Sequence, residues 1–460
     1  MAMTGQNSGQ NGWRQGDRLE VDVFDLGDDG TAVARAEGRV IFVADGVPGD
    51  RLRVRLTEVK PRFARAVIES VLEPSEDRVR PACIVADKCG GCQWQQVSYD
   101  LQLESKTGQV REAMRRIGGF DEPPLRPILA ADSPLGYRNK ATYPLGLSAD
   151  GSIQAGYFRK GSHKLVNLNR CPVQDARLDP LLAEVKQDIA DRGWSIYDER
   201  QHRGQLRHLA LRVGRHTGER LLTLVSTDAK LDGLAEQSLI WMERYPGLMG
   251  VCLNINTDKG NRIFGDRTRC IVGRDWIEEH FCGLRFRISP QTFFQVNTEQ
   301  AERIIPLLAD FLEPTPEDCL VDAYCGIGTL ALPLAARVGR MIGLESFAGS
   351  VEQARANAAA NGITNAEFRC GPAELLLPSL SEQPRLAIID PPRKGCDRRV
   401  IEAINDSSIK RLVYVSCRPA TQARDLALLC GEGGFRLVSL QPVDFFPQTA
   451  HVECLAMLER

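Results

Sequence analysis

The stretch Val321-Asp322-Ala323-Tyr324-Cys325-Gly326-Ile327-Gly328-Thr329 decides the fold class. Cys319 to Ala323 reads as a strand. The two glycines after it let the backbone approach a ligand and open a helix N-terminus toward it. The next strand, Met341 to Leu344, ends on Glu345, an acid placed to bind ribose hydroxyls. Leu330 to Pro333 stand where a third glycine would complete the dinucleotide fingerprint, which disfavours NAD. A tight strand-to-helix turn without a ligand is the plainer alternative. Further strands at Leu386 to Ile389 and Leu412 to Val415 alternate with helical stretches, so residues 289–460 read as a Rossmann-like, doubly wound parallel sheet. Phe435 to Leu440 and Glu453 to Leu458 are joined by a long loop and predict a closing antiparallel pair.

Two more stations fall at strand ends of this sheet, where ligands of such folds sit. Asp390-Pro391-Pro392-Arg393 is a carboxylate held by a proline-stiffened loop. Amino-group methyltransferases usually carry Asn-Pro-Pro-aromatic at this place, so Asp and Arg point to a different substrate edge. Ser416-Cys417-Arg418-Pro419 puts a candidate nucleophile at a strand tip. A free thiol has a pKa of about 8.5, so Arg418 or the following helix N-terminus would have to lower it. A structural cysteine is the alternative reading.

Upstream, the chain has too many residues (460) for one core. Residues 1–12 read as a disordered tail. Alternating Leu19, Val21, Val23 and Leu52, Val54, Leu56 predict a five-stranded OB-type barrel over 13–72. Its 51–67 edge holds six Lys or Arg against Glu58, either a nucleic-acid surface or a solvated strand face. Residues 73–288 form an α+β middle domain, with a helix at about 98–120 able to pack on the C-terminal domain. Within it, 200–220 holds six Arg and three His, a second basic stretch, and Tyr137-Arg138-Asn139-Lys140 is a further candidate contact. Net charge is -2, which excludes a globally basic coat but not local patches. No apolar run spans a membrane and the start lacks a secretory h-region, so a cytoplasmic protein is expected; it is expected to act as a monomer.

Of the fourteen cysteines, Cys83, Cys89 and Cys92 lie close together, and Cys171-Pro172 follows far downstream. Zinc sites prefer paired two-residue spacings, and only one pair has that. Three-plus-one ending in Cys-Pro is nearer to iron–sulfur ligation. Gly90 and Gly91 would free the backbone to wrap a metal.

In this order the four features resemble the RNA uracil-C5 methyltransferase family, most nearly its 23S rRNA branch (RlmD type). Ser289-Pro290-Gln291-Thr292-Phe293-Phe294-Gln295-Val296-Asn297 and His451-Val452-Glu453 match further family motifs. The resemblance implies a TRAM barrel at the N-terminus. It implies a [4Fe-4S] cluster on Cys83, Cys89, Cys92 and Cys171. It also implies S-adenosylmethionine (SAM) bound through Gln295, Tyr324, Gly326, Gly328, Thr329, Glu345 and Asp390. Cys417 is then the nucleophile and Glu453 the base, with Asp390 orienting uracil or cofactor. Phe293 and Phe294 are open between base stacking and core packing. The implied partner is a splayed uridine of 23S rRNA. The alternatives are a tRNA uracil-C5 methyltransferase, a group expected to lack both the TRAM unit and the cysteines, and a noncatalytic RNA-binding or ribosome-assembly protein.

Overall fold

Leu52, Val54 and Leu56 all point inward and are fully buried, while Arg51, Arg53 and Arg55 alternate with them on the outer face. That period of two closes the first sheet on itself. The computed structural model describes residues 12–460; the expected tail, apart from Gly12, lies outside them. The barrel consists of β1 (Arg18–Leu26), β2 (Ala32–Ala36), β3 (Arg39–Ala44), β4 (Arg51–Val59) and β5 (Phe63–Glu73), closed in the order β1-β2-β3-β5-β4. Trp94 fills its core, with the indole N–H donating to the Gly30 carbonyl at 3.1 Å. The compact unit built on the barrel comprises the described residues up to Asp87, with 92–105 and 448–450; the remaining residues form a second unit.

The basic edge at 51–67 does not read as a bare cationic strip once its neighbours are in place. Glu20 pairs with Arg51 and Arg53, Glu69 with Arg55, Glu73 with Arg51, and Glu58 with Lys60 and Arg65. Such exposed pairs contribute little stability, but they neutralise the field.

The second unit contains two large sheets. After α1 (Tyr99–Arg116) come β6 (Lys140–Leu147), β7 (Ile153–Phe158), β8 (Leu165–Asn167), α2 (Asp179–Asp191), β9 (Leu206–Val213), β10 (Arg220–Ser226), α3 (Leu234–Arg244), β11 (Leu248–Ile255) and β12 (Arg267–Gly273). They form one mixed sheet, β12-β11-β10-β9-β6-β7-β8. A hairpin, β13 (Ile277–Phe281) and β14 (Leu284–Ile288), leads to α4 (Thr298–Leu312). The second sheet then follows: β15 (Cys319–Ala323), β16 (Arg340–Glu345), α5 (Ala348–Ala360), β17 (Ala366–Cys370), α6 (Ala373–Leu376), β18 (Leu386–Ile389), α7 (Arg398–Asn405), β19 (Arg411–Ser416), α8 (Pro419–Gly431), β20 (Arg436–Val443) and β21 (Glu453–Glu459). Its order is β17-β16-β15-β18-β19-β21-β20, parallel through β19. Strand β21 runs antiparallel between β19 and β20, giving the expected closing pair.

One local expectation fails. No α-helix follows the Gly-x-Gly turn; a run of turns leads into a 3₁₀ segment, Leu332–Arg337. Pro333 has no N–H to give to an α-helical ladder, so the segment tightens instead.

Val110 and Met114 of α1 are buried among Val321, Ile342 and Ile389 of the parallel sheet. One turn before Val110, Lys106 is fully buried, its ammonium 2.6 Å from Asp444 and 3.0 Å from the Phe446 carbonyl. Desolvation lowers the Lys106 pKa, and Asp444 partly restores it. Removing one partner strands a buried charge, costing roughly 3–5 kcal/mol, whereas an apolar pair is tolerated. Lys106→Met is therefore expected to lower denaturant stability by about that amount. Lys106→Met/Asp444→Leu should recover most of it; a double variant as unstable as the single would refute this account.

Candidate active site

A pocket of about 800 Å³ opens at the carboxyl ends of the parallel strands. Strand pairing puts the chemistry there. Ser416, the last residue of β19, is registered against Cys454 of β21, so Cys417 and Glu453 leave adjacent strands at the same level. The buried Gln422 amide locks that register by donating to the Tyr414 and Cys454 carbonyls, both at 2.9 Å. Asp390 follows β18, next to β19, and its N–H donates to the Ala323 carbonyl at the end of β15. All three side chains border the pocket, together with Gln295, Tyr324, Gly326 and Glu345.

Two residues expected at the cofactor stand apart. Gly328 and Thr329 are not on the pocket wall. Gly328 has φ of +86°, and a Cβ there would come within 2.6 Å of Leu332. Its glycine serves the turn and its packing rather than a ligand's approach. Tyr324 also sits in the left-handed region, at φ +69°, an uncommon conformation for a side chain of that size. Glu345 ties the turn down: it accepts the Gly326 N–H at 3.1 Å and the Phe347 N–H at 2.7 Å.

The electrostatics are dominated by crowded acids. Burial pushes Asp390 up to about 7. Burial, then the neighbouring Asp390, pushes Glu453 up to about 8, against a weaker pull from Arg393. Deeper in, Asp322 is fully buried, neither carboxyl oxygen has a hydrogen-bond partner, and burial with Asp390 and Glu345 drives its pKa well up. The Cys417 thiol is raised to about 11 by burial, Glu453 and Asp390. Arg393 opposes this through a hydrogen bond and its charge. The cation that faces the thiol is therefore Arg393, from the Asp-Pro-Pro-Arg loop, and not Arg418.

The structure separates residues that are neighbours in the chain. Phe293 is 59% exposed on the pocket wall, whereas Phe294 is buried in a trio with Phe281 and Phe286. Asn139 and Tyr137 are braces rather than RNA contacts. Asn139 donates to the Gln295 carbonyl at 2.8 Å and to Thr298 Oγ1 at 2.9 Å, and the Tyr137 hydroxyl donates to the Pro447 carbonyl. The 200–220 stretch is largely interior. Arg207 donates to the Asn256 carbonyl at 3.2 Å, Arg212 to the Thr292 carbonyl at 2.8 Å, and Arg215 pairs with Asp175 and Glu299. Of its six arginines only Arg200 and Arg203 are exposed. Phe347 carries no motif that marks it in the sequence, yet it is 41% exposed on the same wall just past Glu345.

Cys83 and Cys92 belong to the barrel unit, Cys89 and Cys171 to the second. Among the described residues no group of three or more Cys, His, Asp or Glu is gathered to hold a metal ion. The turn of Gly90 and Gly91 lies against Phe158 and Tyr157, where a Cβ would come within 3.0 and 3.4 Å.

The raised carboxyl of Glu453 makes a pH prediction. The folded state holds this proton up to about pH 8, the unfolded chain only to about 4.5, so stability falls as pH rises between them. Glu453→Gln removes that penalty. Its melting temperature should match wild type near pH 4.5 and exceed it by a few degrees above pH 8. A difference that is constant with pH would contradict the assignment.

Similarity to known proteins agrees with this geometry. A family model described as tRNA (Uracil-5-)-methyltransferase matches residues 264–460, and a TRAM domain model matches 12–68. An uncharacterized RNA methyltransferase of Nostoc sp. is 55% identical over 97% of this chain and 97% of its own. Another, from Bacillus cereus, is 38% identical over 96% of each. The crystal structure of Pyrococcus abyssi tRNA (uracil-54, C5)-methyltransferase in complex with S-adenosyl-L-homocysteine is 28% identical, with a TM-score of 0.76, over 96% of this chain and 100% of that one. A tRNA enzyme thus matches along nearly the whole chain, so the N-terminal unit does not separate rRNA from tRNA enzymes as the motifs alone suggest. The chain belongs to the SAM-dependent RNA (uracil-5-)-methyltransferase family and carries an N-terminal TRAM domain.

Proposed function

We propose that this chain methylates C5 of a specific uridine in 23S rRNA, acting as a cytoplasmic monomer. The observation that carries the chemistry is the strand register that sets Cys417 beside Glu453 at the mouth of a pocket shared with Asp390. C5 of uracil is a weak nucleophile. Addition of the Cys417 thiolate at C6 makes the ring an enolate, dividing one hard step into two. SAM, when bound, supplies the electrophilic methyl group. Gln295, Tyr324, Gly326, Glu345 and Asp390 line its pocket, with Gly328 and Thr329 shaping the turn behind. Glu453 then takes the C5 proton, and elimination frees the thiol. A base near pKa 8 is matched to a proton transfer around neutral pH. Asp390 orients the uracil edge, and exposed Phe293 offers a face to the base.

The base must leave its stack to enter the pocket, which costs a few kcal/mol. A splayed, single-stranded uridine lowers that cost. A tRNA substrate is the second reading, favoured by the full-length similarity to the archaeal tRNA enzyme. In our reading Cys83, Cys89, Cys92 and Cys171 hold a [4Fe-4S] cluster. The donor set fits in kind: four cysteines, three of them close together in the chain and the fourth followed by Pro172. Methyl transfer moves no net electrons, so the cluster's part is to organise the middle domain and the RNA surface.

Tritium release from C5-labelled uridine, with SAM present, is expected from unmodified 23S rRNA and not from tRNA transcripts. Release from tRNA alone would move the substrate to the second reading, and release from neither would sink both. Cys417→Ala should still bind SAM but form no covalent RNA adduct. Glu453→Gln should accumulate the adduct, because addition proceeds and proton removal stalls; normal turnover would remove Glu453 from the mechanism. Anaerobically purified protein should contain about four iron and four sulfide per chain. Stoichiometric zinc without sulfide would overturn the cluster.

A further inference from the structure

A second cavity, of about 820 Å³, lies in the mixed sheet, far along β6 from the active site. Asn139, just before β6, braces the active-site segment, while Pro144 to Leu147 at the other end of the strand line this cavity. A strand of that length runs roughly 25 Å, which several nucleotides would cover.

The lining combines aromatic rings with cations. Phe158 is 39% exposed there and meets His163 edge-on at 5.7 Å. Tyr197 carries Arg207 over its ring at 4.9 Å. Arg159, Lys164 and Arg200 are exposed on the same wall, and among the described residues none of the three forms an ion pair. Two acids share the lining: Asp198, whose carboxylate accepts the Arg200 and Gln201 N–H groups, and Glu199. The cations still outnumber the acids. His208 lines the cavity too, with a buried Nδ1 that has no partner. Exposed aromatics interleaved with unpaired cations are what a single-stranded nucleic acid requires: a π-face for the base and charge for the backbone.

The wall is held rigidly by the cysteine-bearing turn. The Gly90 N–H donates to the Phe158 carbonyl at 2.9 Å, the Lys160 N–H donates to the Lys88 carbonyl at 3.0 Å, and Cys89 and Arg159 form an isolated antiparallel bridge. The residues at the rim of the cavity are thus paired to the turn containing Cys89.

We propose that this cavity is a second RNA subsite, which takes one unstacked nucleotide of the substrate several residues from the target uridine. The base stacks on Phe158, and Arg159, Lys164 and Arg200 bind the flanking phosphates. The inference rests on RNA being the substrate. The turn at 88–91 is a positioning element for the site.

The test is binding of a fluorescein-labelled, single-stranded, uridine-containing RNA 12-mer to the full chain, read by anisotropy over a salt series. Arg159→Ala/Lys164→Ala/Arg200→Ala should weaken binding about tenfold at low salt. It should also flatten the plot of log affinity against log salt by about 0.7 for each phosphate that is no longer neutralised. Phe158→Ala should weaken binding about tenfold with the slope unchanged. Arg111→Ala/Arg115→Ala/Arg116→Ala, exposed on α1, serves as the charge control and should change affinity less than twofold. With methylatable RNA, both cavity variants should raise KM and leave kcat unchanged. Wild-type affinity and slope in the cavity variants, or an equal weakening in the control, would overturn the subsite. Because binding is read without methyl transfer, a wild-type chain that binds the 12-mer through the cavity yet releases no tritium would refute the proposed function and leave the subsite standing.

Discussion

Burial of acids at the carboxyl edge of one sheet is the constraint on which the candidate active site depends. Burial, and then Asp390, raises the pKa of both Asp322 and Glu453, and burial, with Glu453 and Asp390 behind it, raises the Cys417 thiol. Burial thus holds the Cys417 thiol mostly protonated near neutral pH. The cation that opposes these shifts at both Glu453 and Cys417 is Arg393. The cost falls on stability at high pH, which is the usual signature of a functional site.

Everything else in the second unit holds that edge in register. The antiparallel insertion of β21 between β19 and β20 brings Glu453 beside Cys417; a parallel strand there would put its other end at the pocket. Gln422 clamps the two strands. The buried Lys106–Asp444 pair fixes the loop after β20, from which Phe446 reaches the pocket wall. Asn139 fixes the segment that carries Gln295. Each of these is a buried hydrogen bond or ion pair, where removal of one partner is costly and geometry is therefore well specified.

Charge is where the local sequence misleads most. Six basic residues in 51–67 look like a nucleic-acid face, yet Glu20, Glu69 and Glu73 come from β1 and β5 to pair with them. Six arginines in 200–220 look like a stripe, yet Arg207 and Arg212 point inward to carbonyls. Sequence windows count charges on one strand, while the field depends on the neighbouring strands. The helix expected after Gly328 gives way to the demands of Pro333, a local signal that is present in the chain and that the glycine motif overshadows.

The chain by itself determined the sheet class, the closing antiparallel pair, the five-stranded barrel and the residue types that can do the chemistry. These follow from hydrophobic periods and short motifs, which are local properties. Only the tertiary structure decided that Phe293 faces the pocket while its neighbour Phe294 enters the core, that Arg393 rather than Arg418 meets the thiol, and that Asn139 braces rather than binds. Those outcomes depend on which distant segments pack against each residue. Burial, pairing and pKa are set by that packing, so no window of sequence contains them.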